Sequence, residues 1–130
     1  MTRFHESVVE DAALAWLADL GFAFVGGDVS APDGPAPERH AFREVILSDR
    51  LTLAVVRLNP SLPPEAIQDA VRKVTLAEAP PRIERNRAIH KMIVDGVDVE
   101  HRRTDGAIAG VRARLIDFDN PDNNDWLAIN

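Results

Sequence analysis

The sequence predicts a mixed α/β chain, of the α+β kind, with helices first and an antiparallel hairpin late. Three observations carry that expectation. Apolar residues recur at helical spacing through the first two thirds, a period-two alternation takes over from Val97, and Gly or Pro punctuates the joins between these stretches. The chain has 130 residues, 45% apolar and 28% charged, which suits one packed domain.

The first helix is predicted from about residue 7. Ser7-Val-Val-Glu10 has the spacing of a capping box, in which the serine accepts a backbone N–H and the glutamate reaches back to the cap. Val9, Ala12, Ala13, Trp16, Leu17 and Leu20 form a broad stripe and most remaining positions are apolar too, so burial is expected. Gly21 ends this helix, and Phe22-Ala-Phe-Val25 reads as a short strand or extended exit. Gly26 to Pro37 is too rich in Gly and Pro for a regular element, and it lacks the glycine spacing and the Gly-Lys-Ser that cradle phosphates.

A second helix is expected from about Ala41 to Leu58, on the repeat of Leu47, Leu51, Ala54, Val55 and Leu58, with Asn59-Pro60 as its stop. Pro63-Pro64 opens a third, with Ile67, Ala70, Val71 and Val74 on one stripe. Pro80-Pro81 breaks the chain, and Ile83 to Val94 forms another helix that Gly96 closes, placing Asn86, Ile89, His90 and Ile93 on a shared face. Val97 to Arg103 and Val111 to Phe118 alternate apolar and polar around Thr104-Asp105-Gly106, which is a hairpin signature. Trp126-Leu-Ala-Ile-Asn130 has strand character again.

Composition excludes several classes. Cysteine is absent, which removes disulfides and thiolate metal sites and is compatible with a reducing cytosol. No run reaches the roughly 20 apolar residues that span a bilayer, and Met1 to Glu6 has no signal-peptide core, so the expectation is a cytoplasmic protein with no membrane partner. The net charge of −6 and pI near 5.1 are opposite to the basic balance of a free-standing DNA binder, so weak or no DNA binding by the chain alone is expected.

Few residues qualify for chemistry. His5, His40, His90 and His101 are scattered without ligand spacing, and His90 is expected to be a half-buried, hydrogen-bonded residue. Asp117, Asp119, Asp122 and Asp125 are the densest carboxylate group. They lack the glycine of a calcium loop, and Ala128 stands where its bidentate glutamate belongs, so turn chemistry explains them better. Arg72, Lys73, Arg82, Arg85, Arg87 and Lys91 make the helices over 72–91 basic, read first as a solvated surface and second as a contact for DNA or a partner protein. Glu6 and Glu10 stand four apart and share a helix face.

The hairpin with its Arg-Arg-Thr-Asp-Gly turn, then Leu115-Ile-Asp-Phe118, Asn120-Pro-Asp-Asn-Asn-Asp-Trp126 and Leu127-Ala-Ile-Asn130, resembles the amino-terminal region of the motor-and-nuclease (R) subunit of type I restriction enzymes. Glu6 to Gly21 and Ala31 to Glu38 are similar to it as well, in family order, from residue 4 to residue 130. The resemblance implies the amino-terminal part of a restriction-endonuclease-like domain, residues 1–130 being a single, incomplete one. It implies DNA cleavage by the complete subunit with Mg²⁺, translocation driven by ATP, and assembly with methylation and specificity subunits. The family's catalytic Asp and Glu-x-Lys would fall beyond Asn130. No Glu-x-Lys occurs here, since Val71 precedes Lys73 by two and Ile89 precedes Lys91 by two. The expectation is therefore no catalytic residue, no ATP site and no resident cofactor within the chain. Glu6 is the one possible auxiliary acidic, metal-binding residue, while Glu10 is assigned first to the capping box. A non-catalytic module that docks on other restriction-enzyme subunits or domains is the alternative.

Overall fold

The computed structural model describes residues 5–76 and 82–130; the expected Pro80-Pro81 break lies outside them. Helices and strands are mixed, as the sequence predicts. Two compact units can be separated: one joins Met1–Val45 with Asp125–Asn130, and the other is Ile46–Asn124.

In the first unit, α1 (Glu6–Asp19) leads through Gly21 to β1 (Ala23–Val25), which pairs in parallel with β4 (Leu127–Ile129). The capping box is not formed. His5 is the cap, no side chain bonds the helix start, and Ser7 and Glu10 both lie inside the helix. Expected burial fails as well: no residue of α1 is buried, Trp16 is 70% exposed and Leu20 74%, and only Ala12, Leu14 and Leu17 are half-covered.

The stretch expected to be irregular contains one helical turn, α2 (Gly27–Ser30). Gly27 donates its N–H to the Asn130 side-chain oxygen at 2.9 Å, and a methyl group there would run into the Asn130 carbonyl. Ser30 is buried, and the backbone beside it accepts from Ala36 and Glu38.

In the second unit, α3 (Ser48–Leu58) begins seven residues later than expected. The segment before it is taken up by a turn around Glu44, whose N–H bonds the Ala41 carbonyl and whose carboxylate accepts the His40 N–H at 2.8 Å. Phe42 and Val45 are exposed, so no buried face draws the helix further back. Helix α4 (Pro64–Thr75) starts with proline in its first turn, as predicted. Helix α5 (Arg82–Asp95) is followed by Gly96 in the left-handed region at φ 86°, where the chain turns into β2 (Val97–Arg102).

Strand β2 pairs antiparallel with β3 (Ile108–Ala113), Val97 opposite Ala113 and Val99 opposite Val111. Gly106 at φ 85° and Asp105, which accepts the Ala107 N–H at 3.0 Å, shape the connecting turn. Strand β3 was expected over 111–118; it starts and ends earlier, because past Ala113 the backbone is captured by side chains instead of the ladder.

The core lies here. Ala66, Ile67, Ala70 and Val74 of α4 pack with Val55 of α3 and with Val97, Val99 and Ala113 of the hairpin. Along β2 the inward valines alternate with exposed Asp98 and Glu100, the period-two pattern of a sheet covered on one face. Alanines at 66 and 70 leave no side chain beyond a methyl, which lets α4 approach the strands closely.

Candidate functional site

The described residues contain no group of three or more His, Asp or Glu side chains close enough to hold a metal ion. The titratable residues singled out by the sequence are instead distributed over separate local arrangements.

Glu6 is the first residue of α1 and Glu10 lies one turn on, both exposed. With the capping box unformed, neither carboxylate makes a hydrogen bond or ion pair within the described residues. Two adjacent free carboxylates at a helix start interact favourably with its positive end, but they offer a cation only part of a coordination shell.

Of the aspartates between 117 and 125, Asp117 is the organising one, only 8% exposed. One carboxylate oxygen accepts the N–H groups of Asp119 at 3.1 Å and Asn120 at 3.0 Å; the other accepts the Asn123 amide at 2.9 Å. Asn124 completes the loop by accepting the Asp117 N–H at 2.8 Å and donating to its carbonyl at 2.9 Å. The Asn123 amide, the Asn120 and Asp119 backbone and the nearby Arg114 hold the Asp117 carboxyl below the usual aspartate range, against the opposing effect of burial. Its lone pairs are spent on the turn at Pro121–Asn123, whereas Asp119 and Asp122 stay at the surface.

Asn59, read from sequence as a helix stop, does more. Its amide donates to the carbonyls of Val55 at 2.8 Å and Arg114 at 2.9 Å, and its side-chain oxygen accepts the Arg114 N–H at 2.7 Å. A side chain thereby takes the place of a strand partner and fixes the end of α3 to the chain leaving β3. Sequence reasoning missed it because the two partners stand far apart in the chain; an Asn before Pro at a helix end was the only signal.

The basic residues divide into two sets. Arg72 and Lys73 of α4 both pair with Asp69, Lys73 at 3.0 Å, and Lys73 also donates to the Asp98 carbonyl. These bonds, that from Lys73 first, hold the Asp69 carboxyl below its usual range. With Arg112, which pairs with Asp98 at 3.0 Å, and with Glu100, they line an open groove of about 660 Å³ whose charges largely cancel. On α5, by contrast, Arg82, Arg85, Arg87 and Lys91 have no carboxylate partner among the described residues. His90 is exposed there and not half-buried as expected, because the covered side of α5 is formed by Ala88, Ile89, Met92 and Ile93, which leaves residue 90 on the other.

No helix among the described residues is long and apolar enough to cross a membrane. No solved structure matches the chain. Two curated relatives do. A provisionally named type I restriction enzyme MjaIXP endonuclease subunit from Methanocaldococcus jannaschii is 31% identical over 126 residues, covering 97% of this chain. The type I restriction enzyme HindI endonuclease subunit from Haemophilus influenzae is 31% identical over 127 residues, again 97% of the chain. In each case the match covers 12% of the relative's own length. The family described as the type I restriction enzyme R protein N terminus matches residues 3–130. With the matched region covering nearly all of its sequence, the chain belongs to the family of type I restriction enzyme R protein N termini.

Proposed function

We propose that the chain is the amino-terminal part of a DNA-cleaving nuclease domain in an ATP-dependent R subunit, inactive by itself. The observation that carries this reading is the match of residues 3–130 to the R protein N terminus, with relatives named as endonuclease subunits. In this reading Mg²⁺ and ATP serve the complete subunit, DNA and the methylation and specificity subunits are its partners, and the setting is the cytoplasm. The chain itself supplies no Glu-x-Lys, and its described carboxylates do not gather into a metal site, so no metal-dependent step is assigned to its residues. Glu6 is its contribution at most: an exposed carboxylate with no partner among the described residues, available to a metal site completed by residues beyond Asn130.

The test is plasmid cleavage with Mg²⁺, comparing this chain with one extended through the Asp and Glu-x-Lys strands. Cleavage by the extended chain only is the expected result. Metal-dependent cleavage by the short chain, abolished by Glu6→Ala or Asp117→Ala, would place the active site among residues 1–130 and overturn the reading.

A second reading, a non-catalytic module docking on other restriction-enzyme subunits or domains, is favoured by α1. That helix exposes Val8, Val9, Trp16 and Leu20, apolar surface of the kind an interface covers. Co-purification of the intact chain with the methylation subunit, lost on Trp16→Asp, would support it; unchanged co-purification would remove it.

A further inference from the structure

Helix α5 presents two different sides. Arg85, Ala88, Ile89, Met92 and Ile93 are half-buried, while Ile83, Asn86, Arg87, His90, Lys91 and Val94 are exposed, the spacing of one helix face. The apolar members Ile83 and Val94 stand at the two ends of that face. The turns between them show Asn86, Arg87, His90 and Lys91, with the exposed carboxylates of Glu84 and Asp95 along one edge.

The cations of this helix are unusual in a chain of net charge −6, because carboxylates are plentiful and those on α4 and β3 have found them. Arg72 and Lys73 are tied to Asp69, Arg112 to Asp98, and Arg114 lies 3.8 Å from Asp117 and from Asp119. On α5 no cation is so tied among the described residues. Nor does their placement favour the helix. Cations stabilise a C-terminal turn, yet Arg82 opens the helix, Arg85 follows within the first turn beside Glu84, and the last turn holds no base and ends on Asp95. The helix dipole therefore does not account for the arrangement.

We propose that the outer face of α5, centred on Arg87 and Lys91 with Asn86 and His90 beside them, is a contact for the phosphate backbone of duplex DNA. The proposal rests on the nuclease reading for the choice of polyanion. Arg87 and Lys91 are one turn apart, about 6 Å along the axis, so both can face one strand. Asn86 and His90 add further side-chain donors beside Arg87 and Lys91. An acidic protein is the competing partner, but protein interfaces are depleted of charge at their centre, whereas here the centre is charged and the apolar residues are peripheral. The contact reads no sequence, since backbone phosphates are alike at every step. It stays weak in the isolated acidic chain, as the net charge requires.

The test is fluorescence anisotropy of a short labelled DNA duplex of arbitrary sequence, titrated with the chain at several low salt concentrations. Arg87→Gln, Lys91→Gln and the double variant are compared with the parent and with Arg72→Gln, whose charge is already paired on α4. Glutamine keeps helix propensity, and far-UV circular dichroism of each variant checks that the helix persists; the single variants carry the test where the double does not fold. The expected result is weaker binding by each α5 variant. The slope of log K against log salt should fall by about 0.9 per contact removed, and Arg72→Gln should leave it unchanged. An absence of binding by the parent at low salt, or an unchanged slope in the variants, overturns the proposal. Binding of poly-glutamate but not DNA, lost in the same variants, also overturns it and assigns the face to an acidic protein. Cleavage by the extended chain is read separately, so loss of the nuclease reading and loss of this contact are distinguishable.

Discussion

Replacing Asn59 by alanine should cost the second unit about 3 kcal/mol. The side chain is 7% exposed and makes three hydrogen bonds, two donated to carbonyls and one accepted from the Arg114 N–H. At about 1 kcal/mol net for each bond, the direct loss is about 3 kcal/mol. The Arg114 backbone groups are only part-buried and regain some water, which keeps the total near that figure instead of well above it. Asn59→Asp should be worse. It retains the acceptor for Arg114 N–H but aims a carboxylate oxygen at two carbonyls. The assay is urea unfolding followed by far-UV circular dichroism, because Trp16 and Trp126 both lie in the first unit and their fluorescence would report the wrong region. With a slope of about 1–3 kcal/mol per molar, the midpoint should drop by about 1–3 M at unchanged slope. A midpoint within about 0.3 M of the parent would mean that the amide is no clamp and that surface-like tolerance applies.

Acidification should weaken the fold through Asp117 and Asp69, whose folded carboxyls both titrate lower than in the unfolded chain. Their contribution is present above the unfolded aspartate value and is lost as pH falls through the lower folded value, so stability should fall below about pH 4. Asp117→Asn should flatten that acid limb in unfolding measurements at stepped pH; an unaltered limb would remove Asp117 from the account. Gly96→Ala should cost about 1–2 kcal/mol for a left-handed residue, with more added by the Ala113 carbonyl 2.9 Å from the new methyl, read as a lower thermal midpoint. Glu6→Ala and Glu10→Ala should leave stability within about 0.5 kcal/mol, since both are exposed and have no partner among the described residues, while Glu6→Ala lowers Mg²⁺-dependent cleavage by the extended chain. Equal cleavage rates in that comparison would withdraw Glu6 from the site.

What could be read from the sequence is what short-range pattern controls. The stripe of Ile67, Ala70 and Val74 is a narrow one and had a single packing solution, so α4 and its buried face follow from it. Alternation around Gly106 gave the hairpin, and only the limits of β3 moved, because Asn59 and Asp117 compete for the backbone beyond Ala113. Helix α1 was legible as a helix and illegible as to burial: apolar residues on most sides say nothing about which of them meets a partner. The Ser-x-x-Glu spacing also misled, since the helix is capped two residues earlier, at His5, and takes Ser7 into its interior. In the candidate site, the turn chemistry around Asp117 could be recognised from the residue types. The α5 face could not, because its meaning lies in which cations lack partners, a property of the fold.

The parallel pairing of β1 with β4 has a consequence for the order in which the chain acquires structure. Ala23 meets Leu127, so the first unit is closed by residues from nearly opposite ends of the sequence, while Ile46–Asn124 is continuous. During synthesis, at about 5–20 residues per second, the continuous unit can condense as soon as Asn124 has emerged. Helix α1 and β1 have by then been made, with no strand for β1 to pair with, and that pair forms only when Leu127–Ile129 arrives from far along the sequence. A strand made before the continuous unit is thus the last to find its partner, and its unpaired edge makes that interval the one in which aggregation or chaperone capture competes with folding.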